Sequence, residues 1–89
     1  MKNLYGTISI NKMLGDICIK ENINYYKLKN NKYGFEIVKE STTDDEKFEV
    51  KNVTDNEEKI NRVLYDLVIK QIMPNSEDII EDLIKTYAC

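Results

Sequence analysis

Histidine and tryptophan are missing from this chain of 89 residues, and cysteine, glycine and proline are scarce, at two, three and one. Each absence removes a kind of chemistry. Without His there is no Cys–His nucleophile pair, no His-based metal site and no imidazole to move protons near neutral pH. Cys18 and Cys89 make neither a disulfide framework nor a zinc spacing. Cys18, between Ile17 and Ile19, reads as a small buried residue, and Cys89 as a free thiol. The three glycines, Gly6, Gly15 and Gly34, form no loop that could cradle a phosphate. No apolar run nears the roughly 18 residues of a membrane span, and the first six residues lack the apolar stretch of a signal peptide. The expectation is a cytoplasmic protein with no membrane partner. The densest carboxylate group, Asp44-Asp45-Glu46, lacks the alternate ligand positions and the glycine turn of a calcium loop. No metal, no cofactor and no catalytic constellation is expected, so the chain reads as a non-enzyme.

What is present suits one soluble domain. Hydrophobic residues make up 42% and charged residues 33%, too apolar for disorder. The net charge of −3 is unevenly spread. Residues 1–40 carry seven Lys against four acids, and residues 41–89 six basic residues against twelve acids.

The first half alternates. Residues 4–10 have period two and read as a strand. "NKMLGD" reads as a turn and "ICIK" as a second short strand, so residues 1–22 are either extra strands or a loosely attached arm. Residues 27–37, "KLKNNKYGFEI", read as a hairpin with Asn30-Asn31 as a two-residue loop. That register sets Leu28 opposite Tyr33 and Tyr26 opposite Phe35. It collects Tyr26, Leu28, Tyr33, Phe35 and Ile37 on an inner face and leaves Tyr25, Lys27, Lys29 and Lys32 outside. Gly34, opposite Lys27, marks a bulge or a close backbone approach. Residues 47–53, with Phe48 and Val50 on one side, close a β-meander over residues 23–53.

The second half has helical period and supplies a helical pair over residues 54–89. Thr54 and Glu57 fit a capping box for a helix over residues 55–73 with an inner stripe of Ile60, Val63, Leu64, Leu67 and Val68. Glu58–Arg62 and Asp66–Lys70 stand in the favourable i,i+4 order. Pro74 ends the helix, and Ser76 caps a second one whose apolar stripe is Ile79, Ile80, Leu83, Ile84 and Tyr87. The fold class is α+β: an antiparallel meander of three to five strands, packed on one face by two C-terminal helices.

The first helix also carries a second apolar line, Tyr65, Ile69 and Met73, with Ile72 beside it. Either the second helix covers that line or it is exposed as a partner-binding surface or homodimer seam. Tyr25, Lys27, Lys29 and Lys32 offer a different reading, an aromatic and cationic face for single-stranded nucleic acid.

The order of "YYKLKNNKYGFEI", a polar loop, a strand, a capped helix with "VLYDL" and then "IMPNSEDIIEDLI" resembles a family of short clostridial proteins of unknown function. Tyr33, Gly34, Glu36, Pro74, Asp78, Ile79 and Ile80 carry the resemblance. It implies a small bacterial protein tied to sporulation or mobile elements, and no catalytic residues. The expected function is regulatory: binding of a larger, basic or DNA-handling protein, as an accessory or directionality factor of a recombinase or as a phage-type inhibitor of a nucleic-acid enzyme. Contact with nucleic acid would then be indirect.

Overall fold

A computed structural model describes residues 1–41 and 45–87. Four strands, β1 (Lys2–Leu14), β2 (Ile17–Lys29), β3 (Tyr33–Ser41) and β4 (Glu46–Thr54), are followed by α1 (Glu57–Ile69) and α2 (Glu77–Tyr87). The strands lie in the order β1-β2-β3-β4, every neighbouring pair antiparallel. The fold is thus an α+β meander with two C-terminal helices.

The first twenty residues are part of the sheet. β1 and β2 form one ribbon, 13 residues a side, turning at Gly15-Asp16. Gly15 has φ +62, which suits the first central position of a tight hairpin turn. At roughly 3.4 Å per residue such a ribbon is about 44 Å long, close to the 47 Å long axis of the molecule. β3 pairs with β2 only from Glu21 to Lys29, so the far part of the ribbon projects beyond it. Cys18 sits there and is exposed, not buried as its apolar neighbours suggest. Cys89 and Asp44 lie outside the described residues.

The β2–β3 hairpin is shifted by one residue from the expected register. Lys29 pairs with Tyr33 across a three-residue loop, so Lys27 opposes Phe35, Tyr25 opposes Ile37 and Leu28 opposes Gly34. A one-residue slip exchanges the faces. Ile23, Tyr25, Phe35 and Ile37 now point at the helices and are 0% exposed, while Tyr26 and Leu28 lie on the helix-free face. The physical reason lies further back along β2. With Asn30-Asn31 alone as the loop, Asn22 and Asn24 would face the helices and Ile23 would face water. In the observed register Asn22 and Asn24 accept hydrogen bonds at 2.9 Å from Ser9 and Thr7 on the open face. Gly34 does mark a close approach: a Cβ there would lie 2.2 Å from the Val50 carbonyl oxygen.

The helices seal the core. Ile60, Val63, Leu64 and Leu67 of α1 and Ile80 and Leu83 of α2 pack on the four buried strand residues, with Ile72 between the helices. Two boundaries differ from expectation. Asn56, not Thr54, caps α1, its Oδ1 accepting from the Lys59 amide at 3.3 Å. Thr54 ends β4, and its Oγ1 accepts from the Asn56 amide. At the other end α1 stops at Ile69, well before Pro74. Gln71 adopts φ +52, its amide donates to Val68, and the Ile72 amide donates to Leu67. That is a Schellman closure with Gln in the position usually held by Gly. The Tyr25 hydroxyl then donates to the Ile72 carbonyl at 2.8 Å, tying the helix junction to the sheet.

Candidate docking groove

The line Tyr65, Ile69, Ile72, Met73 is divided by the early end of α1. Ile72 is in the core at 4% exposure, and Met73 is packed against it. Tyr65 and Ile69, one turn apart on α1, are each 57% exposed.

Tyr65 borders a groove of about 470 Å³ between β1, α1 and the end of α2. Three elements converge there for separate reasons. α1 lies close to β1 because Gly6 has no side chain: a Cβ at Gly6 would come within 3.3 Å of Val68 Cγ2. The β1–β2 register shifts between Leu4 and Gly6, and such a bulge re-aims a side chain; here Tyr5 joins the α1 residues of the groove. Tyr87, on the last turn of α2, faces the Asp66 carboxylate across the groove. A hydrogen bond to that carboxylate is the main cause holding the Tyr87 hydroxyl above its usual pKa. On α1 itself Glu58 holds Arg62 at 3.5 Å and Asp66 holds Lys70 at 3.8 Å, the two expected i,i+4 pairs. The groove thus presents three phenol rings beside two carboxylates. Tyr5 and Tyr87 are not visible as site residues in the sequence. A bulge aims the first, and the second falls within the apolar stripe of α2.

The residues of the nucleic-acid reading are dispersed. Tyr25 is fully buried and cannot stack on a base. Burial pushes its hydroxyl up to about 12. Lys27 reaches Glu57 at 3.1 Å and Asn61 at 3.2 Å. Its hydrogen bond and charge hold Glu57 below the usual carboxylate range. Lys29 lies 4.1 Å over the Tyr33 ring. Lys32 is in the β2–β3 loop. Lys29 and Lys32 border a second cavity of about 470 Å³, together with Lys2, Lys51, Leu28 and Gly34. Lys2 there is 2.7 Å from Glu36, and Lys51 is 3.6 Å from Glu49. Among the described residues no three His, Cys, Asp or Glu side chains come together to hold a metal.

The order of elements, sheet then capped helix pair, extends over nearly the whole chain, and one family model matches most of that stretch, residues 7–86. The chain belongs to the family of unknown function DUF6514. The match takes in β2, β3, β4, α1, β1 from Thr7 onward and α2 short of its last residue, including Tyr65, Ile69 and the far end of the ribbon, and leaves Tyr5 and Tyr87 outside it. No curated protein and no solved structure shows a significant match to it. No described helix of this DUF6514 member is long and apolar enough to cross a membrane.

Proposed function

We propose that this chain is a small, non-catalytic regulatory module that binds a basic segment of a larger protein in the groove on α1. The observation that carries the reading is the meeting of Tyr5, Tyr65 and Tyr87 with Glu58 and Asp66 around one open groove. A guanidinium on a partner can stack on a phenol face and pair with a carboxylate at the same time. Aromatic and Arg contacts of this kind dominate the energetics of protein interfaces. Arg62 already holds Glu58 at 3.5 Å on the exposed side of α1, and a partner's Arg would compete for that carboxylate. The twelve acids of residues 41–89 would speed the approach of a basic surface. A DNA-handling enzyme is such a partner. A recombinase accessory factor from a clostridial mobile element, a sporulation regulator and a phage-type inhibitor are concrete forms of the same reading.

The test is affinity capture from the native host with wild-type protein, Tyr65→Ala and Ile69→Asp, each checked by circular dichroism. A basic protein retained by the wild type and lost by both folded variants supports the reading. An identical captured set from all three removes it.

The lysine-bordered cavity favours a second reading, direct binding of single-stranded nucleic acid at the β2–β3 loop end of the sheet, through Lys32 with Lys2 and Lys51 and with Lys29 at the rim. Such binding weakens steeply with salt as counterions are released. A labelled oligonucleotide that does not bind at low salt eliminates it.

A further inference from the structure

β1 is an outer strand, and among the described residues no strand lies on its far side. Long sheet edges are normally guarded by charge, proline or brevity. β1 is 13 residues long with no proline, and between Gly6 and Leu14 its only charge is Lys12. Two observations mark this edge as an unfinished surface. Ile8 and Ile10 pack against the core yet stay only partly buried. Of the nine exposed large hydrophobic residues among the described residues, four lie on β1: Leu4 and Tyr5 near one end, Met13 and Leu14 at the other.

We propose that β1 pairs antiparallel with β1 of a second copy of the chain, about a two-fold axis at Ser9. The spacing of side chains favours this occupant over an unrelated strand, because the edge is complementary to itself. Pairing about Ser9 sets Ile8 opposite the second copy's Ile10, both on the helix side, as their partners Ile23 and Glu21 on β2 show. Thr7 meets Asn11. Gly6 meets Lys12, so the one charge faces a residue without a side chain. The two Lys12 residues stand six positions apart across the axis, about 20 Å at strand spacing, and do not repel strongly.

The bulge after Leu4 takes up one residue. Leu4 therefore falls beside the second copy's Met13. Both are on the helix-free face, since they pair with Tyr26 and Cys18. Tyr5, the extra residue of the bulge and turned to the helix side, lies with Gly6 opposite the second copy's Lys12, where its ring can cover the Lys12 stem. A register one residue away would set Ile8 and Ile10 against polar side chains. Each match occurs twice by symmetry. This inference shares only Tyr5 with the groove; Tyr65 and Ile69, the residues changed to test the groove, lie on α1.

The full chain is examined by sedimentation and light scattering at rising concentration. The expected species has twice the 10.5 kDa chain mass. Ser9→Lys sets like charges against each other at the axis and is expected to weaken association at least about tenfold. Ser9 is exposed, and its side chain bonds only to Asn22, so circular dichroism should be unchanged. As a second arm, Ser9→Cys in a chain also carrying Cys18→Ser and Cys89→Ser is expected to cross-link between copies under mild oxidation, whereas Lys47→Cys on β4 is not. Tyr65→Ala is expected to leave the mass unchanged. A monomer at every concentration overturns the proposal, and so does a dimer that survives Ser9→Lys and is not cross-linked through Ser9→Cys.

Discussion

β2 passes through two environments. Ile23 and Tyr25, in the body, are 0% exposed, while Ile17, on the same helix-side row six residues earlier, is 65% exposed. The alternation of apolar and polar residues is similar in both places; what lies above the strand is not. At about 1.5 Å per residue, α1 and α2 reach about 20 Å and 17 Å, less than half the length of the ribbon. An alternating strand pattern therefore fixes which way a side chain points, and the length of the covering layer decides whether it is buried. The ribbon's projecting end, residues 11–14 and 17–20, carries Met13, Leu14 and Ile17 exposed, and that makes it a surface available for contacts.

The contrast breaks most visibly at α1. Leu64→Ala removes a side chain that is 0% exposed between the helix and the sheet. It is expected to cost about 2–5 kcal/mol, against a total stability of roughly 4–13 kcal/mol for a chain of this size. Urea unfolding followed by circular dichroism measures it. A loss under about 1 kcal/mol would mean that α1 does not seal the body.

Tyr25→Phe probes the same region at smaller scale. It leaves the ring and deletes the hydrogen bond to the Ile72 carbonyl, at an expected cost of about 1 kcal/mol. The wild type should also show an alkaline signature. Burial raises the Tyr25 hydroxyl to about 12, above its ordinary value near 10 in the unfolded chain. The unfolded state releases that proton first, so this contribution is complete below about pH 10 and is lost as pH rises toward about 12. In Tyr25→Phe the decline over that interval should be shallower, and an identical decline would show that Tyr25 is not buried.

Much of this body was legible in the residues. The change from period two to helical period gives the fold class, and spacing alone gives both i,i+4 pairs on α1 and the start of α2 after Ser76. The hairpin register was obscured because Asn30-Asn31 suggests a two-residue turn. The longer row Ile17, Ile19, Ile23, Tyr25 carries the correct parity, and it becomes visible once β2 is seen as one strand of 13 residues. Tyr65 of the groove, and Ile69 one turn beyond it, follow from i,i+4 spacing. Tyr5 does not, because a bulge costs nothing that composition records. The end of α1 was hidden for a related reason: the left-handed position is usually marked by Gly, and here it is Gln71.

That exception gives the next prediction. Gln71 holds φ +52, a conformation that strains any residue with a Cβ. Gln71→Gly relieves the strain but frees the unfolded chain. The net expectation is a gain of about 0.5–1 kcal/mol, read as a rise in the urea midpoint with an unchanged slope. A loss would show that the Gln71 side chain supplies a contact greater than its backbone cost.

The smallest effect is expected at the far end of the ribbon and is the sharpest test of the contrast. Ile17→Ser changes a large aliphatic to a hydroxyl on the same row as Ile23, so pattern alone would rank the two sites equally. Coverage ranks them apart. At 65% exposure Ile17 has little burial to lose, and surface changes of this kind stay within about 0.5 kcal/mol. Ile17 pairs with Leu14 on β1, so the measurement is made at dilutions where the chain is a monomer. A cost near that of Leu64→Ala would place a covering layer over the ribbon and remove the distinction between body and arm. A cost near zero leaves Ile17, with Met13 and Leu14 across the turn, as apolar surface that the fold does not require for its own stability.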